Sequence, residues 1–253
     1  MRLAGTAALV VGGSGGIGAA TCRALAAEGA AVGVHYGRSR DAALAVVRDI
    51  EAHGGRAVAL AADVAVKAEA GRLVAEAVRA LGRLDALVVC AGHPFRPEEW
   101  FAPYEELPEA AFRRAIDVDL LGAVFVTQAA TPHFKAARAG RIVLVGSTPA
   151  LTGDVSGVTY LVAKAGVLAL TRALAQYLGR YGVHVNALAL GSIATRPMAA
   201  LPPEEAKRLA EEAALRRVGT AEEIARKVVF LCSPDSDFLT GQTLVVDGGY
   251  AMR

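Results

Sequence analysis

A glycine-rich turn near the N-terminus limits the folds open to this chain. Residues 7–11 are a short apolar run, and residues 12–18 read Gly-Gly-Ser-Gly-Gly-Ile-Gly before an alanine-rich helical stretch that reaches Glu28. A strand, a glycine turn and a helix in this order form the first part of a βαβ unit, in which the turn and the helix N-terminus offer backbone N–H groups to phosphate. Any tight turn favours glycine, but five glycines in seven residues exceed that need. The sequence therefore predicts a dinucleotide site at this turn.

The rest of the chain alternates short apolar runs with helical stretches and contains no linker. Continuously apolar strands between helices indicate a parallel sheet that is covered on both faces. With 54% apolar and 21% charged residues, the 253 residues suit one large α/β core. We predict a single-domain, doubly wound (Rossmann) fold over residues 1–253, with a seven-stranded parallel sheet. The predicted strands are 7–11, 31–35, 57–61, 85–90, 141–146, 183–189 and 243–247. The predicted helices lie near 17–28, 40–53, 68–81, 109–137, 158–180 and 221–232.

Tyr160 and Lys164 lie one helical turn apart in one of these helices. Residues four apart share a helix face, so the Lys164 ammonium favours the phenolate of Tyr160 and makes it a usable general acid or base. Ser147, thirteen positions before Tyr160, is then available to hydrogen-bond a substrate oxygen. For an isolated pair, a solvated tyrosine beside a lysine is the commoner explanation. The glycine turn favours the catalytic interpretation here.

These features, in this order along the chain, resemble the short-chain dehydrogenase/reductase family, and the 3-oxoacyl-thioester reductases in it. The resemblance covers essentially all 253 residues and includes the tail at 240–249, which reads Thr-Gly-Gln-Thr-Leu-Val-Val-Asp-Gly-Gly. It implies hydride transfer between a nicotinamide and a carbonyl carbon. Tyr160 then donates the proton, Ser147 orients the oxygen, and Lys164 assists Tyr160 and anchors the nicotinamide ribose.

The same resemblance implies a set of cofactor contacts. Segments that follow the strands supply them, from the glycine turn to the stretch that holds the nicotinamide carboxamide. They are Gly12, Ser14, Gly15, Gly16, Ile17, Gly18, Asp63, Val64, Ala91, Gly92, Tyr160, Lys164, Gly191, Ile193 and Thr195.

The family's catalytic asparagine falls at Asp119, and that residue normally helps a water-linked proton relay to the lysine. Aspartate accepts hydrogen bonds but does not donate when ionised. We predict that Asp119 occupies the relay position and stabilises the Lys164 ammonium. The alternative is that it only caps a turn or pairs with an arginine. Further departures are Val89-Cys90, where the family has two asparagines, and Leu190, where it has proline.

The end of the second strand bears on the choice of cofactor. Proteins that prefer NAD place a carboxylate there for the ribose hydroxyls, but this chain has no acid before Asp41, which we expect in the next helix. Arg38 and Ser39 are placed to receive a 2′-phosphate, and Arg40 to assist. The sequence therefore favours NADP(H) over NAD(H). The alternative is that the arginines only solvate the start of a helix.

Two irregular segments are predicted to enclose the substrate. Residues 191–217 are expected to form a lid beside the cofactor site, with a passive surface excursion as the alternative. A second wall is expected at residues 93–107, which are rich in proline and aromatics and include Trp100, Phe101 and Tyr104.

Several classes of function are disfavoured. The net charge is +2 with scattered basic residues, so we expect no nucleic-acid partner. The three cysteines and five histidines show no ligand spacing, so we expect no metal, and each histidine is expected to be a surface or packing residue. No apolar run approaches the roughly 18 residues of a membrane span, and no signal peptide is recognisable. We expect a cytoplasmic protein without a membrane partner.

The leading functional hypothesis is an NADPH-dependent reductase of a carbonyl substrate, such as a 3-oxoacyl thioester or a similar ketone. The first alternative is an NAD(P)-dependent sugar or secondary-alcohol dehydrogenase with the same residues. The second is a non-catalytic dinucleotide-binding scaffold. A homotetramer is expected from the resemblance and because helices 118–130 and 158–178 carry more apolar positions than one core-facing stripe requires.

Overall fold

Seven parallel strands form one sheet at the centre of the computed structural model, which describes residues 1–195 and 201–252. The order across the sheet is β3-β2-β1-β4-β5-β6-β7, and every neighbouring pair is parallel. The strands are β1 (Ala7–Val11), β2 (Ala31–Tyr36), β3 (Ala57–Ala61), β4 (Ala86–Val89), β5 (Gly140–Ser147), β6 (Val183–Leu190) and β7 (Thr243–Val246). Each lies within one residue of its predicted ends, and the predicted doubly wound fold is confirmed.

Helices cover both faces of this sheet. They are α1 (Gly16–Ala27), α2 (Arg40–Ala52), α3 (Lys67–Leu81), α4 (Pro97–Trp100), α5 (Glu109–Ala115), α6 (Gly122–Ala137), α7 (Pro149–Thr152), α8 (Val158–Leu178), α9 (Pro203–Glu212) and α10 (Ala221–Cys232). Alternate strand residues enter different cores because successive side chains point to opposite faces. In β1, Ala8 and Val10 face the core formed with α1, α2 and α10, whereas Leu9 and Val11 face the core formed with α3, α6 and α8.

The predicted helix at 109–137 has the right extent but not a uniform winding. Residues Ile116–Leu121 form a π-helical segment between α5 and α6. A π turn contains more residues than an α turn, so the side chains on its two sides are rotated relative to an ideal helix. Asp119 lies in this segment and is buried. The local unwinding therefore sets the direction of that carboxylate.

Helix α8 packs on the second face of the sheet and carries Tyr160 and Lys164. Together with the turn that follows it, Val158–Tyr181 is long and apolar enough to cross a membrane by length and composition, with a mean hydropathy of 1.4. Lys164 and Arg172 interrupt this stretch, so it contains no uninterrupted apolar run of about 18 residues. In the structure Ala163, Val167 and Leu168 are buried where α8 contacts β5 and β6, which is the packing of a core helix.

Candidate active site

The glycine turn lies where β1 and β4 are neighbours and the direction of chain winding changes. Ligands of doubly wound folds bind at this point, outside the carboxyl ends of the strands. Gly12 has φ +84°, and a Cβ on it would lie 2.7 Å from the backbone nitrogen of Ala91. Only glycine fits here, because both the backbone conformation and the close approach of the β4 loop exclude a side chain.

Helix α1 directs its N-terminus at the same crevice. Its N-cap residue is Gly15, and no side chain caps the helix. The first N–H groups of a helix need partners, and a pyrophosphate supplies them. Thr195 closes the other side of the turn, since a Cβ on Gly16 would lie 3.2 Å from Thr195 Cγ2. The predicted phosphate and carboxamide segments are therefore adjacent, and the turn fits a dinucleotide.

A cavity of about 360 Å³ opens beside this turn and brings the predicted catalytic residues together. Ser147 ends β5, and Tyr160 and Lys164 extend from the first two turns of α8. Lys164 Nζ donates a hydrogen bond to the Val145 carbonyl at 3.1 Å and lies 5.5 Å from the centre of the Tyr160 ring. The ammonium is thus fixed between the sheet edge and the tyrosine ring.

Asp119 faces this ammonium from the π-helical segment. Its Oδ2 lies 3.7 Å from Lys164 Nζ, which is an ion-pair distance, and accepts no hydrogen bond from the described residues. Burial raises the pKa of Asp119, but Lys164 and the hydrogen bonds of His93 outweigh that effect, so the pKa lies below its ordinary value. Burial lowers the pKa of Lys164, but the opposing effects of Asp119, Tyr160 and Cys90 together outweigh it, so that pKa is raised. Both groups are therefore charged at neutral pH.

His93 completes this network. The sequence predicts it as a surface or packing residue at the start of the substrate wall, but not as a partner of Asp119. Its backbone N–H donates to Asp119 Oδ1 at 2.5 Å, and its ring Nδ1 lies 3.2 Å from the same oxygen. The described partners of Asp119 are thus His93 and Lys164 rather than an arginine. The position of His93 directly after Ala91-Gly92 was the signal available in the sequence.

Aromatic rings form the outer wall of the cavity, as predicted for residues 93–107. The Trp100 ring centre lies 5.5 Å from that of Tyr160 and 5.4 Å from that of Phe95. Phe101 also borders the cavity, whereas Tyr104 does not line it and is 68% exposed. Tyr104 turns outward because it begins a short 3-10 turn after Pro103, beyond the helix that carries Trp100.

The predicted lid contributes to the opposite wall. Residues of α9, among them Glu205, Arg208 and Leu209, line the cavity. Arg208 is held by Glu205 and Glu212 on the same helix. The part of the predicted lid at residues 196–200 lies outside the described residues.

The residues predicted to select the cofactor lie at the end of β2. Arg38 and Ser39 are exposed, and among the described residues no side chain pairs with the Arg38 guanidinium. Ser39 is the N-cap of α2, yet its hydroxyl makes no capping hydrogen bond. Asp41 lies in the first turn of α2, as predicted. Asp63, at the end of β3, uses Oδ1 to accept the Ala65 N–H.

A second histidine, His35, accepts a hydrogen bond from the backbone of the glycine turn. Its Nδ1 accepts a hydrogen bond from the Gly12 N–H at 2.9 Å, and its Nε2 lies 3.0 Å from the Ala62 carbonyl. The ring is 3% exposed. Burial lowers the pKa of His35, against smaller opposing effects of Ala62 and Asp63. His35 therefore joins the phosphate turn to the loop that carries Asp63, a role that its sequence position did not reveal.

Cys90 borders the cavity in place of an asparagine. Burial raises the pKa of its thiol to about 12, against an opposing effect of Lys164. The thiol is therefore neutral and supplies neither charge nor a strong hydrogen bond. Within residues 1–195 and 201–252, no cluster of three or more His, Cys, Asp or Glu side chains is arranged to hold a metal ion.

Comparison with known proteins agrees with this geometry. The family model described as Enoyl-(Acyl carrier protein) reductase matches residues 11–251. The chain is 38% identical to a cis-4-hydroxycyclohexanecarboxylate dehydrogenase of Sinomonas cyclohexanicum, over 96% of this chain and 95% of that protein. It is 37% identical to a 3-oxoacyl-[acyl-carrier-protein] reductase of Synechocystis sp., over 97% and 96%.

Solved structures give the same result. A dehydrogenase/reductase from Sinorhizobium meliloti 1021 superposes with a TM-score of 0.91 at 37% identity, over 99% of this chain and 97% of that one. The fold, the order of the motifs and the relatives agree over almost the whole length. The chain belongs to the short-chain dehydrogenase/reductase family, whose NAD(P)-binding oxidoreductases act on CH–OH and C=O groups.

Proposed function

We propose that this protein is an NADPH-dependent reductase of a ketone, with a 3-oxoacyl thioester or a similar carbonyl compound as substrate. One observation carries the proposal: Ser147, Tyr160 and Lys164 border one cavity beside the dinucleotide turn. A retained proton donor, a retained oxygen-binding hydroxyl and a buried ammonium are the groups that reduction of a carbonyl requires.

Residues of this chain bind the substrate oxygen and donate a proton to it. A bound nicotinamide supplies the hydride. Tyr160 donates a proton to the carbonyl oxygen, and the Ser147 hydroxyl hydrogen-bonds and polarises that oxygen. Lys164, fixed by Val145 and Asp119, stabilises the phenolate that remains on Tyr160 and holds the nicotinamide ribose.

The preference for NADPH rests on the end of β2. The guanidinium of Arg38, which has no side-chain partner among the described residues, and the hydroxyl of Ser39, which makes no capping hydrogen bond, both suit a 2′-phosphate, since a phosphate accepts several charge-assisted hydrogen bonds. Direct titration of the protein with NADPH and NADH tests this preference. Tighter binding of NADH would refute it.

A second candidate is the oxidation of a sugar or a secondary alcohol. The same residues catalyse the reverse reaction, with the Tyr160 phenolate as base. The relative named for a hydroxycyclohexanecarboxylate favours this candidate, because a six-membered ring suits a cavity walled by Phe95, Trp100 and Tyr160.

A panel of ketones with NADPH and NADH, and of alcohols with NADP⁺ and NAD⁺, separates these candidates. The absorbance of the reduced nicotinamide is followed throughout. Reduction of a 3-oxoacyl thioester with NADPH is the expected result, and turnover of alcohols alone would favour the dehydrogenase. Tight binding of cofactor with no turnover of any compound would favour the non-catalytic scaffold.

We further propose that the protein is a homotetramer in the cytoplasm, with residues 191–217 as its substrate lid. Val162, Ala165, Ala169 and Ala173 form an exposed apolar row along α8, which a partner subunit would bury. Cys22, Cys90 and Cys232 are free thiols, as expected in a reducing compartment. Light scattering at micromolar concentration tests the assembly, and a monomer would refute it.

A further inference from the structure

His93 is held by Asp119 in one orientation at the cavity wall. The backbone N–H and the ring of this residue both contact Asp119 Oδ1, at 2.5 Å and 3.2 Å. The carboxylate is fully buried, whereas 11% of the His93 side chain is exposed. Two contacts to a single buried oxygen leave the ring little freedom to rotate. His93 is therefore positioned, and it lines the cavity.

The charge on Asp119 determines which nitrogen of His93 carries the proton. The pKa of Asp119 is lowered, although burial acts against this, because Lys164 and His93 stabilise its anion. An ionised carboxylate only accepts hydrogen bonds, so the Nδ1 that faces it carries hydrogen. In the neutral imidazole the lone pair then lies on Nε2. No described residue bonds to Nε2, and the ring borders the cavity, so this lone pair is presented to a bound molecule.

This acceptor lies close to the proposed proton donor but has no part in the proposed proton transfer. The ring centres of His93 and Tyr160 are 6.1 Å apart. Tyr160 and Ser147 are engaged with the reacting oxygen, so His93 is available to a different group of the substrate. The short separation of the two rings suits a group on the carbon next to the reacting one rather than the far end of a long chain. Phe95 offers only aromatic surface nearby, and the indole N–H of Trp100 can donate a hydrogen bond but cannot accept one.

We propose that His93 Nε2 accepts a hydrogen bond from a substrate hydroxyl on the carbon adjacent to the reacting carbon, and that the protein therefore prefers α-hydroxyketones and vicinal diols. This inference rests on the proposed function, because it assigns Tyr160 to the reacting oxygen. A 3-oxoacyl thioester carries no hydroxyl on the adjacent carbon, so within the proposed substrates the inference favours the similar ketones. Asp119 acts in it as a positioning residue, since it fixes the ring and the proton of His93 and does not itself contact the hydroxyl.

The fluorescence of Trp100 can measure ligand binding and so test this proposal. Trp100 is the single tryptophan of the sequence and lines the cavity, so its fluorescence reports on occupancy without requiring turnover. We would titrate the NADP⁺-saturated protein with cyclohexane-1,2-diol and with cyclohexanol, which differ by one hydroxyl. A neutral hydrogen bond predicts that the diol binds about two- to tenfold more tightly.

Variants then assign the preference to His93. His93→Phe should reduce the ratio of the two affinities to about one, and His93→Gln, which retains an acceptor at its tip, should restore part of it. His133→Phe is the matched control, because His133 is exposed on α6 and does not line the cavity. Equal affinities in the unaltered protein, or an unchanged ratio in His93→Phe, would overturn the proposal.

The proposed function fails by a different result. If NADPH is not consumed with 2-hydroxycyclohexanone or with any other ketone, while the fluorescence ratio still depends on His93, then the reductase assignment is wrong and the hydroxyl contact stands. If ketones are reduced but 2-hydroxycyclohexanone has no advantage over cyclohexanone in kcat/KM, then the contact is wrong and the reductase assignment stands.

Discussion

His35 and His93 lie at the carboxyl edge of the same sheet but in different surroundings. His35, on the cofactor side, is buried, and both of its nitrogens contact backbone groups, at Gly12 and Ala62. His93, on the substrate side, has Nδ1 at Asp119, has no partner for Nε2 among the described residues, and borders the cavity. A ring with two backbone partners supports a fixed turn, whereas a ring with one free nitrogen is available to a ligand. On the cofactor side, both histidine nitrogens have partners within the chain. On the substrate side, one nitrogen has no described partner and can bind a ligand.

Tyr160→Phe gives the largest expected effect and tests whether the two sides are separate. Loss of the phenol should reduce turnover roughly 10²- to 10⁴-fold, because the proton donor is removed. NADPH affinity should change little, since the ring and its contact with Trp100 remain. Steady-state kinetics and cofactor titration measure the two quantities. Undiminished turnover on the true substrate would remove Tyr160 from its role.

Lys164→Ala should affect both sides at once. Its ammonium contacts Val145 on the sheet and Asp119 on the substrate side, and it is proposed to hold the ribose. Turnover and NADPH affinity should therefore both fall. If cofactor affinity were unaffected, Lys164 would belong to the substrate side alone.

Arg38→Ala tests the cofactor side without touching the cavity. A hydrogen bond to a charged group contributes about 1.5–3 kcal/mol, so NADPH should bind roughly ten- to hundredfold more weakly. NADH, which has no 2′-phosphate, should bind as before. Arg48→Ala is the control, because Arg48 is an exposed arginine within α2, away from the end of β2. Equal loss for the two cofactors would mean that Arg38 does not contact the 2′-phosphate.

His35→Asn tests whether protonation of the buried His35 ring weakens the glycine turn. Burial lowers the pKa of His35, whereas in the unfolded chain a histidine binds its proton near pH 6.5. Below that pH the unfolded state binds more protons, so the stability contributed by neutral His35 is present above about pH 6.5 and is lost as the pH falls through the folded pKa. A protonated ring cannot accept the Gly12 N–H, so NADPH affinity should fall about two- to tenfold over the same range.

The asparagine amide keeps an acceptor and a donor but does not titrate. NADPH affinity and melting temperature in His35→Asn should therefore depend less on pH between 7 and 5 than in the unaltered protein. His53→Asn is the control, because His53 is 81% exposed. An identical pH dependence in the unaltered protein and in His35→Asn would show that the ring supports the turn by shape alone.

Asp119→Asn gives the smallest expected change and tests the electrostatics of the substrate side. Removing the carboxylate charge 3.7 Å from Lys164 leaves the ammonium free to act on Tyr160. The basic limb of the alcohol-oxidation pH profile should move to lower pH, and the rate at neutral pH should rise severalfold at most. An unchanged profile would restrict Asp119 to positioning His93.

Sequence patterns predicted the parts of this site that depend on strand order. Gly12, Ala91, Ser147 and Gly191 each follow or end a strand, so a parallel sheet brings them to one edge. The pairing of His93 with Asp119 joins residues 26 apart in sequence, and it depends on a π-helical winding that has no simple sequence signature. The contacts of His35 are with backbone groups, which every residue carries. No side-chain pattern could reveal them.

Because residues Ile116–Leu121 are π-helical, the position of Asp119 depends on the number of residues in this segment. Deleting one residue there would restore regular α-helical winding, keep α5 and α6 close to their present orientations, and change the directions of the side chains between them. The Asp119 carboxylate would then no longer face Lys164 and His93. Such a deletion would remove the ion pair with Lys164 and the contacts with His93 together, whereas Asp119→Asn removes only the charge. A relative with a shorter helix at this point would present a different residue to its lysine, even where every letter around the aspartate is the same.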